Sequence, residues 1–352
     1  MEQRRDGRQK CGKGGEKMIR ISQLKLPITH TKAQLEKKIA KALKNPGNSF
    51  TYEIRKQSLD CRHKNDKIFV YTIDVTIRDE QKLAKKVNNN NIMLTKEKPY
   101  EFPSPGEIPL LHSPVIVGSG PAGLFCGWYL AKAGYCPIIL ERGEEADKRQ
   151  KTVENFWKNG VLDPESNVQF GEGGAGTFSD GKLNTLVKDP YGRNHEVLKR
   201  FVAAGAPEEI IYQQKPHLGT DVLVGIVEKM RHEIEEMGGK FCFRSKVTDL
   251  IFENNTLKEI EINNDKRIPA QVCVLAPGHS ARDTFEMLQK RGVYMEPKSF
   301  AVGLRIEHPQ EMINMDLYGE PENELLGAAS YKVTHKCANG RGVYSFCMCP
   351  GG

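Results

Sequence analysis

No apolar run in the sequence is long enough to cross a bilayer. The nearest, over residues 115–130, is interrupted by Gly118, Gly120, Gly123 and Gly127, a spacing that suits a phosphate loop better than a membrane helix. The basic, Gly-rich N-terminus lacks the apolar core of a signal peptide. Nine cysteines, an odd number scattered along the chain, do not form the pattern of a disulfide framework. No internal repeat of solenoid period is present. The cytoplasm is the expected address.

What is present is an ordinary globular composition. The 352 residues, 38% hydrophobic and 28% charged, leave room for one large core or two modest ones, and two domains are the natural expectation. Charge is uneven. Residues 1–113 hold 24 Lys and Arg against 13 Asp and Glu, a net +11, while the remainder nets −4. A basic N-terminal module on a slightly acidic body fits a lysine-rich solvated surface; it also fits an acidic partner, RNA included.

Residues 1–17 show no periodicity and are expected to form a disordered, dispensable extension. Gly14-Gly15-Glu16-Lys17 is what a purine-rich ribosome-binding site would encode, which points to Met18 as the start. Residues 19–26 then alternate as a strand does, and Ala33, Leu35, Ile39, Ala40 and Leu43 fall at helical spacing before Asn45-Pro46-Gly47 stops the helix. Strands over 52–58 and 67–77 and a short helix over 79–87 complete a βαββα order. That order predicts a ferredoxin-like α+β domain over 18–98. Pro99, Pro103, Pro105, Pro109 and Pro114 mark residues 99–112 as a linker.

Residues 113–142 read as strand, glycine turn, helix, strand, opening an α/β, Rossmann-like domain over 113–284. An amphipathic helix is predicted over 221–237, ended by Gly238-Gly239. Short strands follow over 240–247, 248–253 and 257–262, then a buried one over 270–276. In the last region, 285–352, residues 300–306 alternate like a strand of an antiparallel, substrate-side sheet running to Tyr344.

The chemistry is concentrated in Val115-Ile116-Val117-Gly118-Ser119-Gly120-Pro121-Ala122-Gly123. Gly118 permits a tight turn off the strand, Gly120 lets the backbone approach a pyrophosphate, and Gly123 lets helix and strand pack closely. The helix N-terminus offers its unpaired N–H groups to the phosphates. The second strand ends at Glu141, 23 residues after Gly118, where a carboxylate can accept from both ribose hydroxyls and repel a 2′-phosphate. A GxGxxG alone is weak; here strand, helix, second strand and acidic end are all in register.

Three further segments favour FAD over NAD. Residues 170–182 form a Gly-rich loop whose N–H groups can line a phosphate or flavin edge, and Phe170, Phe178 and Leu183 anchor it too well for a surface linker. Residues 272–278 are an apolar strand ending in Ala-Pro-Gly, and residues 240–247 stand where such a fold meets adenine. From Met18 onward the chain resembles the bacterial family of NAD(FAD)-utilising, FAD-dependent dehydrogenases. The resemblance is carried by residues 18–27, 115–123, 167–182, 215–221, 274–284, 300–309 and 346–352.

The resemblance implies FAD held by a glutathione-reductase-like Rossmann domain with an N-terminal ferredoxin-like module. Its pyrophosphate would lie on Gly118, Gly120, Pro121, Ala122 and Gly123, and its ribose on Glu141 beside Arg142. The flavin would lie near Gly173, Gly174, Ala175, Gly176, Thr177, Ser179 and Lys182, with Val247, Ala276 and Gly278 completing the site. Such domains close with a final strand and helix that nothing after residues 274–278 supplies. The resemblance therefore predicts an incomplete domain with weak FAD binding.

No second strand–GxGxxG–helix unit appears downstream to build a separate NADPH domain, and no CxxxxC pair follows the first helix to support dithiol chemistry. Cys347-Met348-Cys349 is too short and isolated to hold a metal. His217, Arg282, Arg305 and, with a structural role favoured, His308 are the candidate acid–base or substrate residues. The expected function is hydride transfer through bound flavin to or from a small-molecule substrate, with an electron donor such as NAD(P)H binding transiently. The rivals are an FAD-dependent RNA-modifying enzyme and a non-catalytic flavin-binding module.

Overall fold

Alternating apolar residues build the first sheet. The computed structural model describes residues 17–44, 49–87, 89–96, 99–178, 183, 189–214, 216, 218–345 and 348–350. Strand β1 (Lys17–Pro27), helix α1 (Lys32–Ala42), strands β2 (Thr51–Asp60) and β3 (Ile68–Thr76), helix α2 (Glu80–Val87) and strand β4 (Ile92–Lys96) form an antiparallel sheet of order β2-β3-β1-β4. Thr31 starts α1 with a capping box: its hydroxyl accepts from Gln34 N while the Gln34 side chain accepts from Thr31 N. Leu35, Ile39 and Leu43 then pack with Ile19, Ile21, Tyr71, Ile73 and Val75. On the opposite face of β3, buried Asp74 is held by Arg20 and Arg55, each at 2.7 Å.

Two expectations are corrected here. Lys17 belongs to β1 and pairs with Lys96, so the first strand starts inside the expected extension. Strand β4 was not anticipated, because only Ile92 is buried along it and no alternation shows. Residues 1–16 and the Asn45-Pro46-Gly47 stop lie outside the described residues.

The second sheet is parallel. Strand β5 (Val115–Val117), helix α3 (Pro121–Lys132) and strand β6 (Ile138–Leu140) are followed by α4 (Ala146–Asn159), α5 (Arg193–Ala203), α6 (Thr220–Glu236) and β7 (Lys240–Cys242). An antiparallel trio, β8 (Val247–Glu253), β9 (Thr256–Ile262) and β10 (Lys266–Pro269), precedes β11 (Cys273–Leu275) and α7 (Arg282–Lys290). The parallel order is β11-β5-β6-β7. Both faces of β5 and β6 are covered, which is why they read as unbroken apolar runs. Ile116 and Ile139 pack with Leu124, Trp128, Ile226, Met230 and Ile234. On the other face, Val115, Val117 and Leu140 pack with Val247, Leu250, Ile260 and Leu288.

The strand expected over 270–276 is shorter and is not buried: β11 is a sheet edge, and Leu275 is 40% exposed. The strand expected over 240–247 ends at Cys242, since the chain bends through Arg244 at φ 50° before β8 begins.

Beyond the linker region, where Phe102 stacks on Tyr129 at 4.7 Å, the last part of the chain differs from expectation. Residues 300–306 form no strand. Phe300, Val302 and Leu304 are 82%, 85% and 99% exposed. Alternation becomes a strand only where a neighbour takes up the backbone hydrogen bonds, and none does so among the described residues. The region instead contains α8 (Gln310–Tyr318) and a hairpin of β12 (Thr334–Lys336) and β13 (Gly342–Tyr344). The first sheet touches both later parts. The N–H of Gln57 donates to Tyr212 O at 2.8 Å and its carbonyl accepts from Gln214 N at 3.0 Å, while Lys67 pairs with Glu320 at 2.8 Å. No helix among the described residues is long and apolar enough to cross a membrane.

Candidate functional site

A cleft of about 350 Å³ opens where β5, β6 and β11 end, the position where open parallel sheets bind ligands. Gly118 leaves β5 at φ 99°, and a Cβ there would lie 2.3 Å from Ala276 O at the end of β11. Gly123 is as constrained, since its Cβ would lie 1.9 Å from Gly118 O. These contacts put the turn, α3 and β11 at one point. Gly120 caps α3 without a side-chain acceptor, so the first amides of the helix have no partner within it. Gly120, Pro121 and Ala122 line the cleft.

The glycine loop closes the opposite side. Gly173 N donates to Ser119 O at 3.0 Å, and a Cβ on Gly174 would lie 3.0 Å from Gly120 Cα. Gly174, Ala175 and Gly176 therefore line the cleft, together with Val247, Ala276 and Gly278. Gly173 and Thr177, expected at the flavin, stand behind this lining. Thr177 is buried, its hydroxyl donates to Glu172 O at 3.4 Å, and it fills the space a Gly173 Cβ would take. Ser179, Lys182 and His217 lie outside the described residues.

Glu141 lines the cleft but is already fully engaged. Its Oε2 accepts from Ser119 N at 2.8 Å and Ser119 Oγ at 2.7 Å. Its Oε1 accepts from Gly143 N at 2.9 Å and Gly171 N at 3.0 Å. A carboxylate has about four acceptor positions, so both ribose hydroxyls cannot be added, as expected from sequence, without displacing a present donor. The Ser119 hydroxyl is the donor of these four that can rotate away; the others are backbone amides.

The rim is an ion network. Arg142 donates from Nε to Glu165 at 2.7 Å and from both Nη atoms to Asp283 at 3.0 and 2.9 Å, with its guanidinium 4.1 Å from the Phe170 ring centroid. Lys246 joins the same carboxylates at 3.0 and 2.7 Å. Burial opposes ionisation of Asp283, but hydrogen bonds from Arg142 and Lys246 outweigh it and hold the carboxyl far below its usual range. Burial likewise opposes the charge of Arg142 and Lys246, and the paired carboxylates hold both above their ordinary values.

Phe170, His279, Ser280 and Thr284 line the cleft without having been assigned to it, and Ser245 and Lys246 were expected there only as part of the strand over 240–247. No spacing rule says which residue of such a segment turns inward. Of the candidate acid–base residues, Arg282 is exposed on the first turn of α7, Arg305 is exposed on the irregular segment, and exposed His308 meets Tyr331 Oη at 2.9 Å. None of these three lines the cleft.

Comparison with known proteins matches three stretches. Residues 116–150 match an NAD(P)-binding Rossmann-like domain, residues 299–352 match the C-terminal domain of FAD-dependent proteins, and residues 18–76 match a domain of unknown function. An uncharacterised protein of Clostridium beijerinckii is 46% identical over 337 residues, 95% of this chain and 63% of that one. The chain thus spans less than two thirds of that relative's length. Among solved structures, Thermovibrio ammonificans THI4 is 21% identical with a TM-score of 0.35, covering 52% of this chain and 63% of that one. A Lactococcus lactis thioredoxin reductase is 16% identical with a TM-score of 0.26, covering 47% and 35%. Overlap this partial says nothing of function. The Rossmann-like match and the match to the C-terminal domain of FAD-dependent proteins stand together in one chain.

Proposed function

We propose that the cleft holds the adenosine diphosphate half of FAD and that the protein is a cytoplasmic, flavin-dependent oxidoreductase. The observation that carries this reading is the uncapped N-terminus of α3 facing the glycine loop, with Gly120 and Gly174 in near contact. An anionic diphosphate fits helix-start amides that have no acceptor within the helix, and Val117, Leu140 and Val247 offer apolar surface beyond them. Gly118, Gly120, Pro121 and Ala122 would hold the diphosphate, the Ser119–Glu141 pair would meet the ribose, and Arg142 and Lys246 would flank the adenosine end. Bound FAD supplies hydride transfer to or from a small-molecule substrate, with NAD(P)H as a transient donor. The protein's own part is to orient the nucleotide and hold the Glu141 side chain in place through Ser119, Gly143 and Gly171.

The test is reconstitution of the purified protein with FAD and with FMN, followed by anaerobic addition of NADH and NADPH. FAD should be retained through gel filtration and bleached by at least one donor. Retention of FMN in preference to FAD would overturn the reading.

A second reading has its own observation. Lys37, Lys38 and Lys41 on α1 and Lys82, Lys85 and Lys86 on α2 are all exposed, and such a face suits a polyanion such as RNA. The outward positions of β3, Val70, Thr72, Asp74 and Thr76, carry no ring for a base to stack on. An RNA grip here would be to phosphates alone and would weaken steeply with salt. Salt-insensitive or absent RNA binding would remove it.

A further inference from the structure

Arg149 lies on α4, outside every motif of the sequence, and has no exposed surface. Its described hydrogen bonds run to backbone carbonyls: Nε to Asn167 at 2.9 Å, Nη2 to Val168 at 3.1 Å, and Nη1 to Glu172 at 2.6 Å, Gly174 at 2.9 Å and Gly171 at 3.3 Å. The guanidinium also stands 4.7 Å from the Phe178 ring centroid. The backbone is shaped to admit it: a Cβ on Gly171 would lie 2.4 Å from Arg149 Cδ. Burying a cation is costly unless its donors are satisfied. Here Nε, Nη1 and Nη2 of Arg149 each have at least one carbonyl acceptor, five carbonyls in all. Burial lowers its pKa to about 10 against the attraction of Glu141 and Glu172, so the group stays charged at neutral pH.

We propose that Arg149 is the positioning residue of the nucleotide cleft, pinning the glycine loop against the glycine turn and setting a positive charge behind the backbone that meets the diphosphate. The inference rests on the reading of the cleft given above. Its geometry follows from the planar trans peptide, in which C=O and N–H point opposite ways. The Gly174 carbonyl is drawn onto Arg149, so the Ala175 amide of the same peptide unit is turned away from it, and Ala175 lines the cleft. The guanidinium also orients the Glu172 carbonyl, and the Gly173 amide of that peptide unit donates to Ser119 O. One side chain thereby aligns the two peptide units that join the loop to the turn and to the ligand space.

Two variants and two measurements test this. Arg149→Lys keeps a cation but has only three donors for five carbonyls, and Arg149→Gln removes the charge. In the ligand-free protein, amide exchange across residues 167–176 should accelerate about tenfold or more in Arg149→Lys relative to β5 and β6. Unchanged exchange overturns the clamp whether or not FAD binds. In titrations, Arg149→Gln should lose about tenfold on ADP and less than about twofold on adenosine, with much of the ADP loss restored in Arg149→Lys. Equal losses on both ligands would overturn the electrostatic role. Should Arg149→Gln fail to fold, ADP against adenosine in Arg149→Lys decides, with any loss confined to ADP expected. If the wild-type protein binds neither ADP nor FAD, the cleft reading fails and takes the diphosphate role with it, while exchange still decides the clamp.

Discussion

At the scale of single residues, the carboxylate of Glu141 joins three backbone segments that are far apart in sequence, through the amides of Ser119, Gly143 and Gly171. Glu141→Ala would strand those buried donors, at about 1–3 kcal/mol each. The variant should therefore lose about 3 kcal/mol or more of unfolding free energy even without FAD, measured by urea denaturation. Stability equal to wild type with weakened FAD binding would instead make the ribose its chief partner. Asp283 gives a prediction in pH. Its folded pKa is depressed, so its contribution is complete above its unfolded value of about 3.9 and is lost as pH falls toward the folded value. The melting-temperature gap between wild type and Asp283→Asn should be widest near neutrality and close in acid. A gap unchanged from neutral to strongly acid pH would show that Asp283 is not paired as described.

At the scale of elements, β2 is an edge strand whose outward N–H at Gln57 is spent on Tyr212. Proline is tolerated on a strand edge where its missing N–H faces outward. Gln57→Pro should therefore leave the first sheet folded while releasing residues 212–214, seen as faster amide exchange at Gln214. Loss of the whole sheet, or no change at Gln214, would contradict this. Elements with one clean apolar face, such as α1 and α6, were legible from spacing alone. Helix α4 was not. Its buried positions are Ala146, Arg149 and Val153, a stripe that includes a cation, while Trp157 faces solvent at 63% exposure. Helix α5 sets Leu198, Phe201 and Val202 against the core, yet buries none of its residues fully.

At the scale of the molecule, Phe300, Val302, Leu304 and Ile306 are four exposed apolar side chains within seven residues, and exposed apolar surface of this kind drives association. Self-association that rises with concentration is expected in sedimentation velocity. Val302→Ser with Leu304→Ser should reduce it without lowering the melting temperature, and a monomer unaffected by the pair would refute the expectation.

The dinucleotide-binding unit was readable from the chain because its demands are local: a turn, a close helix–strand approach and a bare helix end all fall within Gly118 to Gly123. The first sheet was readable for the same reason as far as α2, through period; β4, with only Ile92 buried, was not. What was not readable joins residues distant in sequence. Arg142 meets Asp283 across 141 positions, Glu141 meets Gly171 across 30, and Arg149 meets the glycine loop across 18 to 25. Composition assigns such charges to the surface, since burying one alone is costly. Only the folded chain brings the carbonyls and amides that make their burial favourable, and so only there do Arg149 and Glu141 become the frame of the site.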